Sequence, residues 1–218
     1  MSKPRAAISW SGGKDCCLAL LRTWNEFEFV AMLTMFNEEG ERSRSHGLQP
    51  AVIEAQAQRL GLKRLSSRCT WETYTDQYIK MVGEAASLGV THIIFGDVTF
   101  DSHREWNEGV CARHGVTAVM PIWGESTAKL AREFVAGGGD AKLVTVRPPA
   151  LDESWLGVTL SEAVLQELER LGVDPCGENG EYHTVVTNCA LFSSPLSLMA
   201  TEKVMRGGCW AVDLSCTS

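Results

Sequence analysis

The fold is decided by residues 6–16, AAISWSGGKDC, which run from a short apolar segment through two glycines to a charged helix start. Residues 6–10 are typical of a buried strand, and residues 14–23 carry apolar side chains at helical spacing. The paired glycines between them predict a tight turn from strand to helix. A strand followed at once by a helix is the first half of a βαβ unit.

The same alternation of short apolar runs and helical stretches continues through the first half of the chain. It predicts a parallel sheet with helices on both faces, because parallel strands need a crossover connection and a helix is the usual one. The expected fold class is therefore α/β, with a five-stranded, parallel, doubly wound domain of Rossmann-like type. The predicted strands cover residues 6–10, 29–34, 62–65, 92–95 and 117–120, and the predicted helices cover residues 14–23, 50–60, 74–88 and 104–114.

The alternation of strands and helices ends after Pro121, so we place a domain boundary near residues 123–125. The expected domains are residues 1–124 and a smaller α+β domain over residues 125–218. The second domain is predicted to contain helices over residues 126–136 and 159–171, the latter opened by the capping-box spacing of residues 159–162. It is also predicted to contain a strand over residues 142–146 and a glycine-rich polar loop over residues 176–184.

The composition describes an acidic globular protein with 20 Lys and Arg, 27 Asp and Glu, and 44% hydrophobic residues. Its net charge of −7 argues against binding nucleic acid or an anionic membrane, since both need a basic face. No apolar stretch approaches the roughly 18 residues of a membrane helix, and the N-terminus lacks the apolar segment of a secretory leader. The eight cysteines include no C-x-x-C pair, so we expect reduced thiols in a cytoplasmic protein.

Ser11, Gly12, Gly13 and Lys14 form a predicted phosphate site where the first strand becomes the first helix. Glycines let the backbone approach an anion, the helix start supplies free N–H groups, and Lys14 adds a positive charge. The G-x-x-x-x-G-K spacing of the usual ATPase loop is absent. The alternative is an ordinary tight turn with an exposed lysine, but such a turn does not require Gly-Gly-Lys-Asp at this junction.

Several stretches of sequence carry a resemblance to a known family. SGGKD at residues 11–15 is similar to the PP-loop of the N-type ATP pyrophosphatases, whose nucleotide-binding domain is of the HUP type. Four further segments are similar to the diphthine–ammonia ligase (diphthamide synthase) family. They are FGD at residues 95–97, HREW at residues 103–106, DESWLG at residues 152–157 and DPCGENGEYHT at residues 174–184. The resemblance covers nearly the whole chain, and GENGEYHT is highly specific.

The resemblance implies an ATP-dependent ligase that forms an amide. In the superfamily the loop holds the β- and γ-phosphates, and ATP is cleaved between its α- and β-phosphates. A substrate carboxylate would be joined to AMP with release of pyrophosphate, and ammonia would then displace AMP. Both predicted domains have a role, which leaves no glutaminase domain, so ammonia is expected from solution. The family suggests diphthine on translation elongation factor 2 as the acceptor, although another carboxylate fits the sequence equally well, and a homodimer is compatible with it.

The resemblance also implies site residues, all expected near one edge of the parallel sheet. Lys14 would stabilise the departing pyrophosphate, and a carboxylate of the second domain would take a proton from ammonium. Glu181 and His183 are two positions apart, so they would face the same side of an extended strand. Mg²⁺ is expected, because it bridges the oxygens of a triphosphate during cleavage. The expected residues are Ser11, Gly12, Gly13, Lys14, Asp15, Cys16, Gly96 and Asp97 for ATP, Asp15 and Asp97 for the metal, His46, His103, Arg104, Glu178, Asn179 and Glu181 for substrate, and Lys14, Asp97, Glu181 and His183 for catalysis.

Each of these residues has a structural alternative. The alternatives are a helix cap for Asp15, a glycine–aspartate turn for Asp97, a solvated loop for His46, a solvated helix start for His103 and Arg104, and a polar surface loop for residues 178–183. The tryptophans at 106, 123 and 155 are expected in the core rather than as a substrate platform.

Cys16 departs from the family pattern, in which the loop usually ends in serine. A thiol is a weaker hydrogen-bond donor to phosphate than a hydroxyl, so we expect a packing role or a weak phosphate contact. A reactive thiol at the helix start is the alternative.

Two other functions remain open from the sequence. A PP-loop sulfur transferase that acts on RNA would use the same loop, although the acidic charge and the missing C-x-x-C pair argue against it. A nucleotide sensor without catalysis would use the same loop to drive domain closure.

Overall fold

The computed structural model describes residues 2–216, so Met1, Thr217 and Ser218, at the ends of the two predicted domains, lie outside the described residues. The first half forms a five-stranded sheet in the order β3-β2-β1-β4-β5, and every neighbouring pair is parallel. The predicted α/β class is therefore confirmed. Its elements are β1 Arg5–Ser9, α1 Lys14–Thr23, β2 Glu28–Phe36, α2 Pro50–Leu60, β3 Lys63–Arg68, α3 Tyr74–Ser87, β4 His92–Ile94, α4 Asp101–Ala112 and β5 Thr117–Val119.

The strand order changes direction between β1 and β4. Chain connections from β1 run outward through β2 to β3, whereas those from β4 run the other way to β5. Ligands of open α/β sheets bind in the crevice beside the carboxyl ends of the strands at such a switch point. The turn after β1 and Gly96, which follows β4, both lie at this position.

The second half forms an antiparallel four-stranded sheet in the order β7-β6-β9-β8. The sequence predicted β6 but neither β8 nor β9, and it placed the start of β7 in a loop. β8 is an edge strand whose residues are almost all exposed, so it lacks the apolar alternation that identifies a strand. The elements are α5 Thr127–Ala136, β6 Asp140–Val146, a 3-10 turn Glu153–Trp155, α6 Glu162–Arg170, β7 Tyr182–Asn188, β8 Leu198–Arg206 and β9 Cys209–Cys216.

Two predicted helix starts were wrong. α6 is capped by Ser161, whose hydroxyl accepts a hydrogen bond from the Val164 N–H at 3.3 Å. Thr159 instead pairs with Lys142 of β6 in an isolated bridge, so the capping box does not form. α4 begins at Asp101, three residues earlier than predicted, because the preceding turn is shorter than the sequence suggested.

Of two hydrophobic clusters among the described residues, the larger runs through both halves of the chain and the other lies within the first half. The larger cluster contains Ile8 and Leu20 from the first half together with Val146, Leu165 and Val212 from the second. The Gln56 side-chain amide of α2 donates to the carbonyls of Gly12, at 3.1 Å, and Val186, at 2.8 Å. The two sheets are thus joined by apolar packing and by hydrogen bonds next to the loop that follows β1.

Two further observations bear on the sequence-based exclusions. Within residues 2–216, no helix is long and apolar enough to cross a membrane. All eight cysteines are free thiols, as predicted.

Candidate active site

A cavity of about 530 Å³ lies at the carboxyl edge of the first sheet, closed on one side by the 176–184 segment of the second half. Its polar lining comes from both halves of the chain. Polar residues of the lining include Ser11, Lys14, Asp15, Arg44, His46, Asp97, His103, Asn107, Glu178, His183 and Thr184. Residues predicted to bind the nucleotide and residues predicted to bind the substrate therefore line the same cavity.

Gly12 and Gly13 are buried and do not line the cavity. Gly12 has φ of +90°, and a Cβ there would lie 2.5 Å from a methyl group of Leu48. A Cβ on Gly13 would lie 2.3 Å from the His46 ring. The nucleotide contact expected of this glycine pair therefore stays a prediction, although neither residue lines the cavity. The glycines are required because α2 and His46 pack directly on the loop backbone.

The start of α1 is capped by the second half of the chain. The Lys14 N–H donates to the Thr184 hydroxyl of β7 at 3.1 Å, and the Gly13 N–H donates to the Ser11 hydroxyl at 3.3 Å. Within residues 2–216, the N–H groups of Asp15 and Cys16 have no acceptor. The first-turn N–H groups of a helix favour an anion, so these two are the donors left for a phosphate.

Gly96 brings the end of β4 against the start of α1. A Cβ on Gly96 would lie 2.5 Å from the Cys16 backbone nitrogen and 2.7 Å from the Asp15 carbonyl carbon. Any larger residue would therefore push the strand away from the helix. Gly96 lines the cavity, as expected, but its small size is needed for backbone packing.

Lys14 is buried, with its ammonium group turned toward the second half of the chain. The Lys14 Nζ donates to the Asp15 carboxylate at 2.9 Å and to the Cys176 carbonyl at 2.5 Å, and it lies 5.2 Å from the centre of the Tyr182 ring. Burial opposes its charge, but Asp15 and the other neighbours outweigh that effect, so the pKa of Lys14 lies well above its usual value. Lys14 is therefore a fixed positive charge at the cavity.

The thiol of Cys16 is engaged by the loop itself. Its Sγ donates to the Gly13 carbonyl at 3.1 Å and lies 3.3 Å from the Ser11 hydroxyl. Burial raises the pKa of Cys16, and a hydrogen bond to Cys189 together with burial raises the pKa of Cys17. Both thiols thus stay protonated at neutral pH, which supports the packing role over reactivity.

Asp97 is held by two side chains of α4. Its carboxylate oxygens lie 3.2 Å from His103 Nδ1 and 2.9 Å from Asn107 Nδ2. Arg104 does not join them, because it pairs with Glu108 at 3.0 Å and lies over the Trp123 ring, outside the cavity lining. The structure therefore does not bring Arg104 together with the other expected substrate residues, and its substrate contact stays a prediction.

His46 and His183 stack on each other beside the loop. Their ring centres are 4.7 Å apart, and His46 Nδ1 donates to the Thr184 carbonyl at 2.7 Å. Burial lowers the pKa of His46 to about 4 and that of His183 to about 3. Both rings are therefore neutral at pH 7, and each can offer a nitrogen lone pair to the cavity.

The two glutamates of the 176–184 segment point in different directions. Glu178 lines the cavity and accepts a hydrogen bond from Thr99 at 3.1 Å, while burial and the charge of Asp15 raise the pKa of Glu178 to about 7. Glu181 instead accepts hydrogen bonds from the backbone N–H groups of Asp174 and Asn179.

Glu181 and Asn179 were expected at the substrate, but they hold the segment together. The Asn179 side-chain amide donates to Glu181 at 3.0 Å, and neither residue lines the cavity. The same-side argument for Glu181 and His183 was wrong because β7 begins at Tyr182, so Glu181 precedes the extended strand.

Comparison with known proteins identifies the family. A family model of the diphthamide synthase N-terminal domain matches residues 4–118, and one of the C-terminal domain matches residues 126–214. The chain belongs to the diphthamide synthase family.

The curated relatives that this chain resembles include several diphthine–ammonia ligases. The chain is 27% identical to the diphthine–ammonia ligases of Rattus norvegicus and Homo sapiens, over 93% of its own length and 85% of theirs. It is 26% identical to that of Schizosaccharomyces pombe, over 89% of this chain and 36% of that one. A solved structure titled as a predicted subunit of tRNA methyltransferase from Methanocaldococcus jannaschii is similar at a TM-score of 0.42 and 14% identity, covering 86% of this chain and 98% of that one.

One side of the cavity is an aromatic wall that the sequence did not predict. Trp106, expected in the core, is half-buried and lies 5.6 Å from Tyr74 and 4.9 Å from Tyr78, measured between ring centres. Trp71 at the outer end has 68% of its surface exposed. Tyr78 is buried against the sheet, so it contributes to the core as well as to this wall. The wall consists of Trp71, Tyr74, Tyr78, Phe95, Phe100 and Trp106.

Among residues 2–216, no cluster of three or more His, Cys, Asp or Glu side chains is arranged to hold a metal ion.

Proposed function

We propose that the protein is an ATP-dependent ligase that joins ammonia to a carboxylate with release of AMP and pyrophosphate. One observation carries the proposal: a single cavity holds the start of α1 with its fixed Lys14 charge and the Glu178 carboxyl from the other half of the chain. The family match supports an amide-forming ligase. We also propose that residues 1–124 form the nucleotide domain and residues 125–218 the substrate domain.

The triphosphate would bind at the start of α1. The N–H groups of Asp15 and Cys16 supply hydrogen bonds, and Lys14 supplies the positive charge that the departing pyrophosphate needs. Asp15 or Asp97 would complete the coordination of Mg²⁺, which neutralises phosphate charge when bound. Asp97 already accepts a hydrogen bond on each oxygen, whereas Asp15 is bonded to Lys14, so Asp15 is the better single ligand.

Activation of the carboxylate explains the need for ATP. A carboxylate oxygen would attack the α-phosphorus as the bond to pyrophosphate breaks, which converts a poor leaving group into AMP. Ammonia would then attack the acyl carbon, and the C–O bond to AMP would break. Lys14 acts in the first step, because that is where negative charge moves onto the outer phosphates.

Glu178 is the proposed base for the second step. An ammonium ion must lose a proton before its nitrogen can attack, and a carboxyl with a pKa of about 7 is half ionised at neutral pH. This role replaces the one expected for Glu181, whose carboxylate is occupied by the backbone of its own segment. The neutral His46 and His183 would orient the nucleophile through their lone pairs.

The proposed acceptor is diphthine, as the names of the curated relatives suggest. Its attachment to translation elongation factor 2 is part of the proposal and follows from the resemblance to the family. The family match favours this ligase over a sulfur transferase. The same match favours the ligase over a nucleotide sensor without catalysis.

Product analysis tests the proposal. The protein is incubated with Mg-ATP, ammonium and diphthine-bearing elongation factor 2, and nucleotides and protein mass are followed together. We expect one AMP and one pyrophosphate for each amide formed. Lys14→Met should lower the rate roughly 100-fold with the fold intact, because the charge at the phosphate site is lost.

Lys129→Met serves as the matched control, since Lys129 is an exposed helix residue paired with Glu125. Formation of ADP and phosphate would refute the proposal. ATP binding without turnover on any carboxylate would favour the sensor.

A further inference from the structure

The charges that line the cavity are poorly suited to an anionic acceptor. Asp15, Asp97 and Glu178 are acidic, and the ammonium of Lys14 is already paired with Asp15. A bound triphosphate would add further negative charge. A carboxylate substrate therefore needs a separate positive group in the cavity.

Arg44 supplies an unpaired guanidinium at the cavity. Within residues 2–216, no carboxylate lies within ion-pair distance of Arg44, unlike Arg42 in the same loop, which pairs with Asp213 at 2.6 Å. The Arg44 guanidinium lies 4.9 Å from the centre of the Trp71 ring. Its Nε donates to the Cys69 carbonyl at 3.0 Å, and its Nη2 donates to the same oxygen.

These contacts fix the guanidinium and leave part of it open. A guanidinium has five N–H donors, and Nε and Nη2 each use one on the Cys69 carbonyl. Three donors remain, and two of them lie on the edge that joins Nη1 and Nη2. Two parallel N–H groups on that edge match the two oxygens of a carboxylate, and a side chain that is already held in place loses little entropy on binding.

Arg44 lies at some distance from the proposed phosphate site at the start of α1. Its backbone N–H donates to the Met35 carbonyl at the end of β2, and its head group reaches the Cys69 carbonyl just after β3. β3 lies two strands from β1, so the head group is about 10 Å along the sheet from the loop that opens α1. The base and ribose of ATP carry no negative charge, so an anion site at this distance fits a second molecule.

We propose that Arg44, held by Trp71, is the residue that binds the carboxylate of the acceptor. Trp71 is the outer wall of the cavity, with 68% of its surface exposed, so the acceptor meets this pair as it enters. The inference rests on the proposed ligase function and adds to it the group that recognises the acceptor. Neither Arg44 nor Trp71 stood out in the sequence.

Steady-state kinetics of Arg44→Gln and Arg44→Lys test the proposal with Mg-ATP, ammonium and diphthine-bearing elongation factor 2. We expect the KM for the acceptor to rise roughly tenfold or more in Arg44→Gln, since two charge-assisted hydrogen bonds are lost, while the KM for ATP stays within about twofold. Arg44→Lys should recover part of the loss, because it keeps the charge without the fork. Trp71→Leu should change the acceptor KM in the same direction by a smaller factor.

Arg42→Gln is the matched control from the same loop, and it should lower the melting temperature without changing either KM. An unchanged acceptor KM in Arg44→Gln would overturn the inference. Calorimetric titration of a non-hydrolysable ATP analogue gives an independent reading: equal affinity for wild type and Arg44→Gln supports the inference, and a tenfold loss would assign Arg44 to the nucleotide instead. Failure of the proposed function is distinguishable, because the wild type would then form no amide.

Discussion

Glu178 and Glu181 show how two identical side chains three positions apart acquire different properties. Thr99 and the cavity surround Glu178, whereas Glu181 is surrounded by backbone N–H groups of its own segment. Burial and the nearby Asp15 charge disfavour ionisation of Glu178. The Glu178 carboxyl, with its pKa raised to about 7, is therefore suited to proton transfer near neutral pH.

Amidation should depend on the ionised form of Glu178. Because burial raises its pKa to about 7, the base form is lost below that pH and gained above it, so the wild-type rate should increase as pH rises through about 7. Glu178→Gln should lower amidation roughly 100-fold and remove this dependence, as is typical of a lost general base. The measurement is amide formation against pH at saturating ATP.

Hydroxylamine provides the control for this variant, because it is largely unprotonated at neutral pH and needs no base. We expect it to restore product formation by Glu178→Gln as the hydroxamate. Failure of hydroxylamine to rescue the variant, with the fold intact, would mean that Glu178 has a structural role.

At the level of elements, the most informative contact is between the start of α1 and β7. Thr184 caps Lys14 from a strand 170 positions later in the chain, and the Val186 N–H donates to the Gly12 carbonyl at 2.8 Å. The shape of the loop therefore depends on the second sheet as well as on its own glycines.

Thr184→Val should weaken both the protein and its nucleotide site. The change keeps the size of the side chain and leaves the Lys14 N–H without an acceptor, so we expect a loss of roughly 1 kcal/mol in unfolding free energy. ATP affinity should fall as the loop loosens. Denaturant unfolding and calorimetric ATP titration measure the two effects.

Thr184→Ser keeps the hydroxyl and should behave like the wild type. Thr187→Val is the matched control, since Thr187 lies on the same strand but bonds the Asp140 carbonyl away from the loop. ATP affinity equal to the wild type in Thr184→Val would show that the cap does not support the nucleotide site.

At the level of the whole molecule, the two halves are joined by a common hydrophobic cluster and by ion pairs. Arg22 of α1 forms ion pairs with Glu125 and Glu133 and donates to the Pro121 carbonyl. Arg42 pairs with Asp213 of β9 in a second bridge between the halves. The core that contains Ile8 also contains Val212 and Leu214.

The full chain should therefore unfold in one cooperative transition. Separating the halves would expose shared apolar surface, which is the largest stabilising contribution in a domain of this size. A fragment of residues 1–124 should show no cooperative transition of its own. Scanning calorimetry of the chain and the fragment checks both points. Two resolved transitions, or a cooperatively folding fragment, would contradict this expectation.

The sequence predicted the parallel domain well because its signals are local. The helical spacing of α3 and the turn at residues 11–15 depend on backbone periodicity and on glycine, which neighbouring residues decide. The same local reading failed for β8, since an exposed edge strand has no apolar alternation. It also failed for the start of α6, where Ser161 rather than Thr159 became the cap.

The sequence by itself determined the α/β class, the position of the loop at residues 11–15 and the segments proposed to carry the site. Each of these depends on the spacing and type of residues within a few positions of one another. Only the tertiary structure decided that Glu178 rather than Glu181 faces the cavity, that Thr184 caps α1, and that Arg44 forms no ion pair within residues 2–216. Those properties depend on burial and on contacts between residues far apart in the chain. Solvent exclusion and distance, which set pKa and hydrogen-bond partners, exist only once the two sheets have packed together.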